Sequence, residues 1–150
     1  MTKGKTSPTT ISTLAVSLKA YPHDGTDFVV VELRVDGDTL ADFSYYATDL
    51  EELVRSLDAD GKFSILTCWC GVPECAGIYS SVGVHHQGGR VYWHVPQPVT
   101  PKDFVFDKAG LQTTLLAFSK QRKHFVAERA YSDRTPYIIA PMQNEPFFTL

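Results

Sequence analysis

No run of apolar residues in this 150-residue chain is longer than a handful. A membrane-spanning helix needs about 20, so no part of it reads as one. The opening MTKGKTSPTT has no apolar core of the kind a secretory signal carries, and a cytoplasmic location is expected. Cysteine is scarce and odd in number, at three, which excludes a closed set of internal disulfides. Positive charge is thin. Lysine and arginine total 14 against 17 acids, and no stretch is basic enough for a phosphate-binding footprint, so nucleic acid is not an expected partner. No Walker motif, dinucleotide fingerprint or Ser/His/Asp signature occurs. Asp36-Gly37-Asp38 starts like a calcium loop but has no closing glutamate at the required distance.

The apolar share is 43%, enough for a packed core at a length that fits one domain. Residues 1–10 are polar and turn-forming and read as a flexible tail. Residues 11–136 read as a single α+β domain, and 137–150 as an extended C-terminal segment with two prolines and the pair Phe147-Phe148. The alternation of Leu14, Val16 and Leu18 predicts a strand over 11–19. The apolar run Phe28 to Val35 predicts a second. Asp36-Gly37 supplies a hairpin turn into a third over 39–46. Thr48, with Glu51 three residues on, has capping-box spacing for a helix whose stripe is Leu50, Leu53, Val54 and Leu57.

A strand over 63–70 follows. Two more over 78–86 and 90–95 form a hairpin; with Gly88-Gly89 as its turn, Val84 stands opposite Trp93. Phe104 to Phe106 predicts a short strand. Asp107 or a neighbour caps a long helix to about Tyr131, with a buried stripe of Leu111, Leu115, Phe118 and Phe125, Val126 a further candidate and Arg122 interrupting it. The expected architecture is an antiparallel sheet of five to seven strands with two helices packed on one face.

All three cysteines fall in Cys68-Trp69-Cys70-Gly71-Val72-Pro73-Glu74-Cys75. Cys68 and Cys70 share a strand face, and Gly71 and Pro73 permit a reversal that returns Cys75 beside them. Three convergent thiols lack one ligand for tetrahedral zinc. His85, His86 and His94 follow on the hairpin, so Cys68, Cys70, Cys75 and His94 form a candidate closed, structural zinc site. Two other readings stand beside it. Cysteine packs well as a small buried hydrophobe. Alternatively, Cys68, Cys70 or Cys75 with His85 or His94 could support thiol- or zinc-dependent catalysis. That chemistry needs a depressed thiol pKa, whereas the one nearby charge, Glu74, would raise it. A Cys68–Cys75 disulfide would leave Cys70 odd.

The motif Cys68-Trp69-Cys70-Gly71, then Cys75-Ala76-Gly77-Ile78 and Val91-Tyr92-Trp93, resembles a group of small bacterial proteins. Their pattern is C-x-C-G-x-x-x-C-x-G followed by a hairpin ending V-x-W. Some are similar in size and layout to immunity proteins of polymorphic toxin systems. The pattern often has glycine before the third cysteine, where this chain has Glu74. The resemblance implies a cytoplasmic protein of bacterial or phage origin that binds and does not catalyse.

Charge is uneven. Residues 21–60 hold eleven acids and two bases. Asp24, Asp27, Asp36, Asp38 and Asp42 are candidate contacts for a protein partner. The expected function is therefore a non-enzymatic protein-binding module, of immunity or anti-defence type, with thiol- or zinc-dependent chemistry at the cysteine cluster as the alternative.

Overall fold

A computed structural model of the chain describes residues 10–40, 46–96, 101–133, 135, 136 and 138–141. The first two strands, β1 (Leu14–His23) and β2 (Thr26–Val35), form a ten-residue antiparallel hairpin closed by Asp24-Gly25. The sequence pattern places a longer turn there; the pairing instead continues through Tyr21, Pro22 and His23. The Asp36-Gly37 turn leads into a short β3 (Asp38–Thr39) against β2, as expected. Further strands are β4 (Tyr46–Thr48), β5 (Gly61–Phe63), β6 (Leu66–Cys68), β7 (Val82–Gln87), β8 (Arg90–Val95), β9 (Lys102–Asp107), β10 (Tyr131–Ser132) and β11 (Ile138–Pro141). The helices are α1 (Leu50–Arg55) and α2 (Lys108–Arg129).

The chain has the expected mixture of two helices and antiparallel strands. The single sheet of five to seven strands, with both helices on one face, does not form. Among the described residues β1, β2, β11 and β10 lie in that order in a five-stranded sheet with β3 on β2; β4 pairs β6; and β5, β7, β8 and β9 make a four-stranded sheet. The cause lies in the predicted strand 63–70, which breaks after Phe63 and changes partner. Its first part pairs with β7 and its second with β4. At the break, the Ser64 N–H donates to the Glu52 carboxylate of α1 at 2.8 Å. The Ile65 carbonyl accepts from the Asp49 N–H at 2.8 Å. The Ser64 N–H is thus satisfied by α1, and the Ile65 carbonyl by the residue that caps it, at the point where the β4–β6 pairing ends.

Helix α1 is capped by Asp49, not Thr48. The Asp49 carboxylate accepts from the N–H groups of Glu51 and Glu52, a contribution of about 1 kcal/mol. Thr48 ends β4, fully buried. Leu50, Leu53 and Leu57 are buried while Val54 is exposed, because a helix this short turns only one narrow face inward. Helix α2 starts as expected, with the Asp107 side chain accepting from the Gly110 N–H at 2.9 Å. It buries Leu111, Leu115 and Phe118, and Phe125 is half-buried.

The β7–β8 register matches expectation, with Val84 opposite Trp93 and Gln87 opposite Arg90. Gly88 and Gly89 both have positive φ, 59° and 76°, which a two-residue primed turn requires. Both helices and all three sheets contribute to one buried cluster, which includes Leu33, Leu53, Leu66, Trp93, Phe106 and Leu115. The start of the predicted segment 137–150 is sheet: Ile138, Ile139 and Ala140 are buried, and Ile138 and Ile139 pair with Val30 and Val29. Phe147 and Phe148 lie outside the described residues, as do residues 1–9. No helix among the described residues is long and apolar enough to cross a membrane.

The burial of β11 generates a direct test. Ile139→Ala should lower the unfolding free energy by about 2–4 kcal/mol. Leu116→Ala, at a site 63% exposed, should change it by no more than about 0.5 kcal/mol. Urea denaturation measures both, and an unshifted midpoint for Ile139→Ala would remove β11 from the cooperative fold.

Candidate functional site

The cysteines lie where β6 leaves the core. Cys68 pairs with Tyr46 of β4 and is buried in the main cluster. Trp69 points the opposite way, as strand alternation requires. It meets Tyr21, His23 and Phe28 edge-on, with ring centroids 5.4, 4.5 and 6.2 Å away. Its packing fixes the strand's other side and so directs both flanking thiols to one face.

The chain then reverses. The Gly71 N–H donates to the Cys68 carbonyl at 2.8 Å, with Gly71 at φ 87°, a conformation that disfavours a side chain. A 3₁₀ turn, Pro73–Ala76, follows and ends on Gly77. The Cys75 N–H donates to the Val72 carbonyl at 3.0 Å, and the Ile78 N–H to that of Pro73 at 3.1 Å. Buried Ala76 and Ile78 hold this turn against the core. Cys70 and Cys75 are left exposed, and all three thiols are free.

The reversal brings Cys68 and Cys75 near enough to Cys70 that the three thiols shift one another. Burial pushes the Cys70 thiol up. The Val72 N–H and the thiols of Cys75 and Cys68, all hydrogen-bonded to its sulfur, outweigh that and hold it below the ordinary thiol range. Cys75 is shifted up because its thiol is hydrogen-bonded to Cys70, with burial adding to the effect. Cys68 is pushed up to about 11, first by burial and then by its contact with Cys70. Of the three thiols, the exposed Cys70 is thus the one that gives up its proton most readily. No cation is needed. The signal in the sequence was Gly71: its reversal leads the chain to Val72, whose N–H supports the Cys70 sulfur.

The histidines are elsewhere. His94 alternates with buried Trp93 and Val95 and faces outward from β8, with Nδ1 2.6 Å from Asp103. His85 faces outward from β7, with Nδ1 3.1 Å from Asp60. The His86 Nε2 donates to the Ser56 carbonyl at 2.8 Å. The proposed fourth zinc ligand, His94, is therefore on the face of the four-stranded sheet turned away from the core that Cys68 enters, as is His85. Among the described residues, no group of three or more His, Cys, Asp or Glu side chains is arranged to hold a metal ion.

The candidate partner-binding acids are also dispersed. Asp24 and Asp27 lie at one end of the β1–β2 hairpin, and Asp36 and Asp38 at the other. Eight residues of β2 lie between Asp27 and Asp36, a span of about 30 Å. Asp36 is engaged locally, its carboxylate accepting from the Thr13 N–H at 2.9 Å. That bond, with one from Ser12, holds the carboxyl below its usual range. Asp42 lies outside the described residues. Compared with family models, curated proteins and solved structures, the chain matches none.

Gly71 carries the geometry of the cluster. Gly71→Ala should cost about 1–2 kcal/mol through its left-handed backbone. It should also move the pH midpoint of Cys70 alkylation upward, toward that of an ordinary thiol. A substitution that left both stability and the midpoint unchanged would show that the turn does not set the thiol.

Proposed function

We propose that the chain is a thiol–disulfide exchange protein in which Cys70 is the nucleophile and Cys75 the resolving thiol. The observation that carries this reading is a pair of exposed, free cysteines joined by the Gly71 reversal, of which Cys70 has its thiol held below the ordinary range beside the Val72 N–H and the two other thiols. It develops the thiol-chemistry alternative raised by the sequence, with the histidine replaced by backbone and sulfur donors. The immunity-type binding module has no comparable focus, because its acids lie at the two ends of one hairpin.

The chemistry balances with a low-molecular-weight disulfide as oxidant. The Cys70 thiolate attacks one sulfur of that disulfide and displaces the other as a thiolate. Cys75 then attacks the Cys70 sulfur of the mixed disulfide and releases the second small thiolate. The two protein protons end on the two released thiols, and a Cys70–Cys75 bond remains. Cys68, buried with a raised thiol, stays out of the exchange and supports the Cys70 sulfur from behind.

The test is alkylation of the native protein by iodoacetamide from pH 6 to 10, mapped by peptide mass spectrometry. Cys70 should react first, with its half-maximal rate below the pH of an ordinary thiol, near 8.5. Cys68 should stay protected. Glutathione disulfide should convert the protein to a Cys70–Cys75 disulfide, and Cys75→Ser should stop at the glutathione adduct on Cys70. Uniformly slow alkylation, or an adduct on Cys75 in preference to Cys70, would overturn the assignment.

A further inference from the structure

The outer face of the four-stranded sheet carries a second arrangement, independent of the thiols. Asp60 immediately precedes β5, His85 is on β7, His94 on β8 and Asp103 on β9. These strands lie side by side in that order. The Asp60 carboxylate accepts from the His85 Nδ1 at 3.1 Å, and Asp103 from the His94 Nδ1 at 2.6 Å. Both carboxylates therefore lie on the outer sides of the two inner strands that carry the imidazoles. With each Nδ1 on its acid, each Nε2, at the far side of its ring, is directed away from that acid. A ring that donates from Nδ1 to a carboxylate carries its lone pair on Nε2. Neither Nε2 has a hydrogen-bond partner among the described residues.

The register makes the pair reachable by one ion. His85 stands opposite Tyr92, and Gly83 opposite His94. The two histidines are thus diagonal neighbours on one face, about 7–8 Å apart. Two imidazoles, each about 2.0–2.1 Å from a shared metal, span that distance. The fourth corner is Gly83, which has no side chain to fill the space. Its backbone is ordinary, and a Cβ there would meet the His94 Cβ at 3.7 Å, a normal contact. Glycine is not forced there by the fold. Both rings are open to solvent, with side chains 60% and 47% exposed, and exposed ion pairs of this kind add little to stability.

We infer that His85 and His94 form a two-imidazole chelate for a divalent transition ion of the zinc and copper class, with Asp60 and Asp103 orienting the rings. A carboxylate behind each ligating histidine is the usual outer shell of such sites. It fixes the tautomer and raises the ligand's basicity. With two protein ligands, water or a further molecule completes the coordination. The site is distinct from the cysteine cluster, and its residues come from a different sheet.

The probe is Zn2+, titrated into protein carrying Cys70→Ser and Cys75→Ser so that the thiols do not compete. Histidine ring Hε1 resonances are followed by NMR. The His85 and His94 signals should move together and saturate at one ion per chain, while those of His23, His86 and His124 stay in place. His94→Ala should abolish the His85 response at that concentration. Asp103→Asn should weaken binding about ten- to a hundredfold while leaving the backbone spectrum folded. Independent movement of the two rings, an equal response from exposed His124, or no effect of Asp103→Asn would each overturn the chelate.

Discussion

The hydrogen bond from the Ser64 N–H to Glu52 decides how the rest of this molecule is put together. A strand running unbroken from Gly61 to Cys70 would keep one set of neighbours and extend one sheet. Once Ser64 and Ile65 are tied to α1, the two halves can take different partners. Each half then delivers a functional group at its free end. Asp60, just before β5, reaches His85. Cys68 ends β6, and Cys70 follows it into the thiol turn. The same Glu52 carboxylate also pairs with Arg55 at 2.7 Å, which holds Glu52 in place along the helix.

The local features of the fold could be read from the residues. The Asp36-Gly37 and Gly88-Gly89 turns, the Val84–Trp93 register, the Asp107 cap and the stripe of α2 follow from short-range patterns whose physics lies within a few residues. The convergence of Cys68, Cys70 and Cys75 was readable for the same reason, since alternation and a glycine turn produce it. What escaped is long-range. Nothing near Ser64 announces that its N–H belongs to a glutamate twelve residues earlier. Counting acids over 21–60 reveals an excess but not that a ten-residue hairpin separates its two halves. The shift from Thr48 to Asp49 at the cap arises because β4 claims Thr48 for the core.

The two proposed sites draw on different chemistry for a physical reason. The thiols lie where a buried strand emerges, so Cys68 is buried in the core while Cys70 and Cys75 are exposed. Proton affinities spread apart across three identical groups. The histidines lie on an open sheet face, where solvent equalises environments, and there orientation is the only variable the protein controls. Asp60 illustrates the cost of that control. One oxygen accepts from the His86 N–H at 2.8 Å and the other from His85, and the first of these bonds is the main reason its carboxyl sits below the usual range.

β11 has a consequence for how the chain is made. It lies beside β2, pairing Ile138 with Val30, so a central strand of the sheet acquires that neighbour only once synthesis has passed Ile138. Until then one side of Val29 and Val30 is an open apolar edge, of the kind that invites pairing with another copy. During synthesis the hairpin can close early, because its contacts are local. Its sheet is completed only when Ile138 and Ile139 have emerged. Until then the nascent chain is open to misassociation, and a truncation just short of Ile138 would make that state permanent.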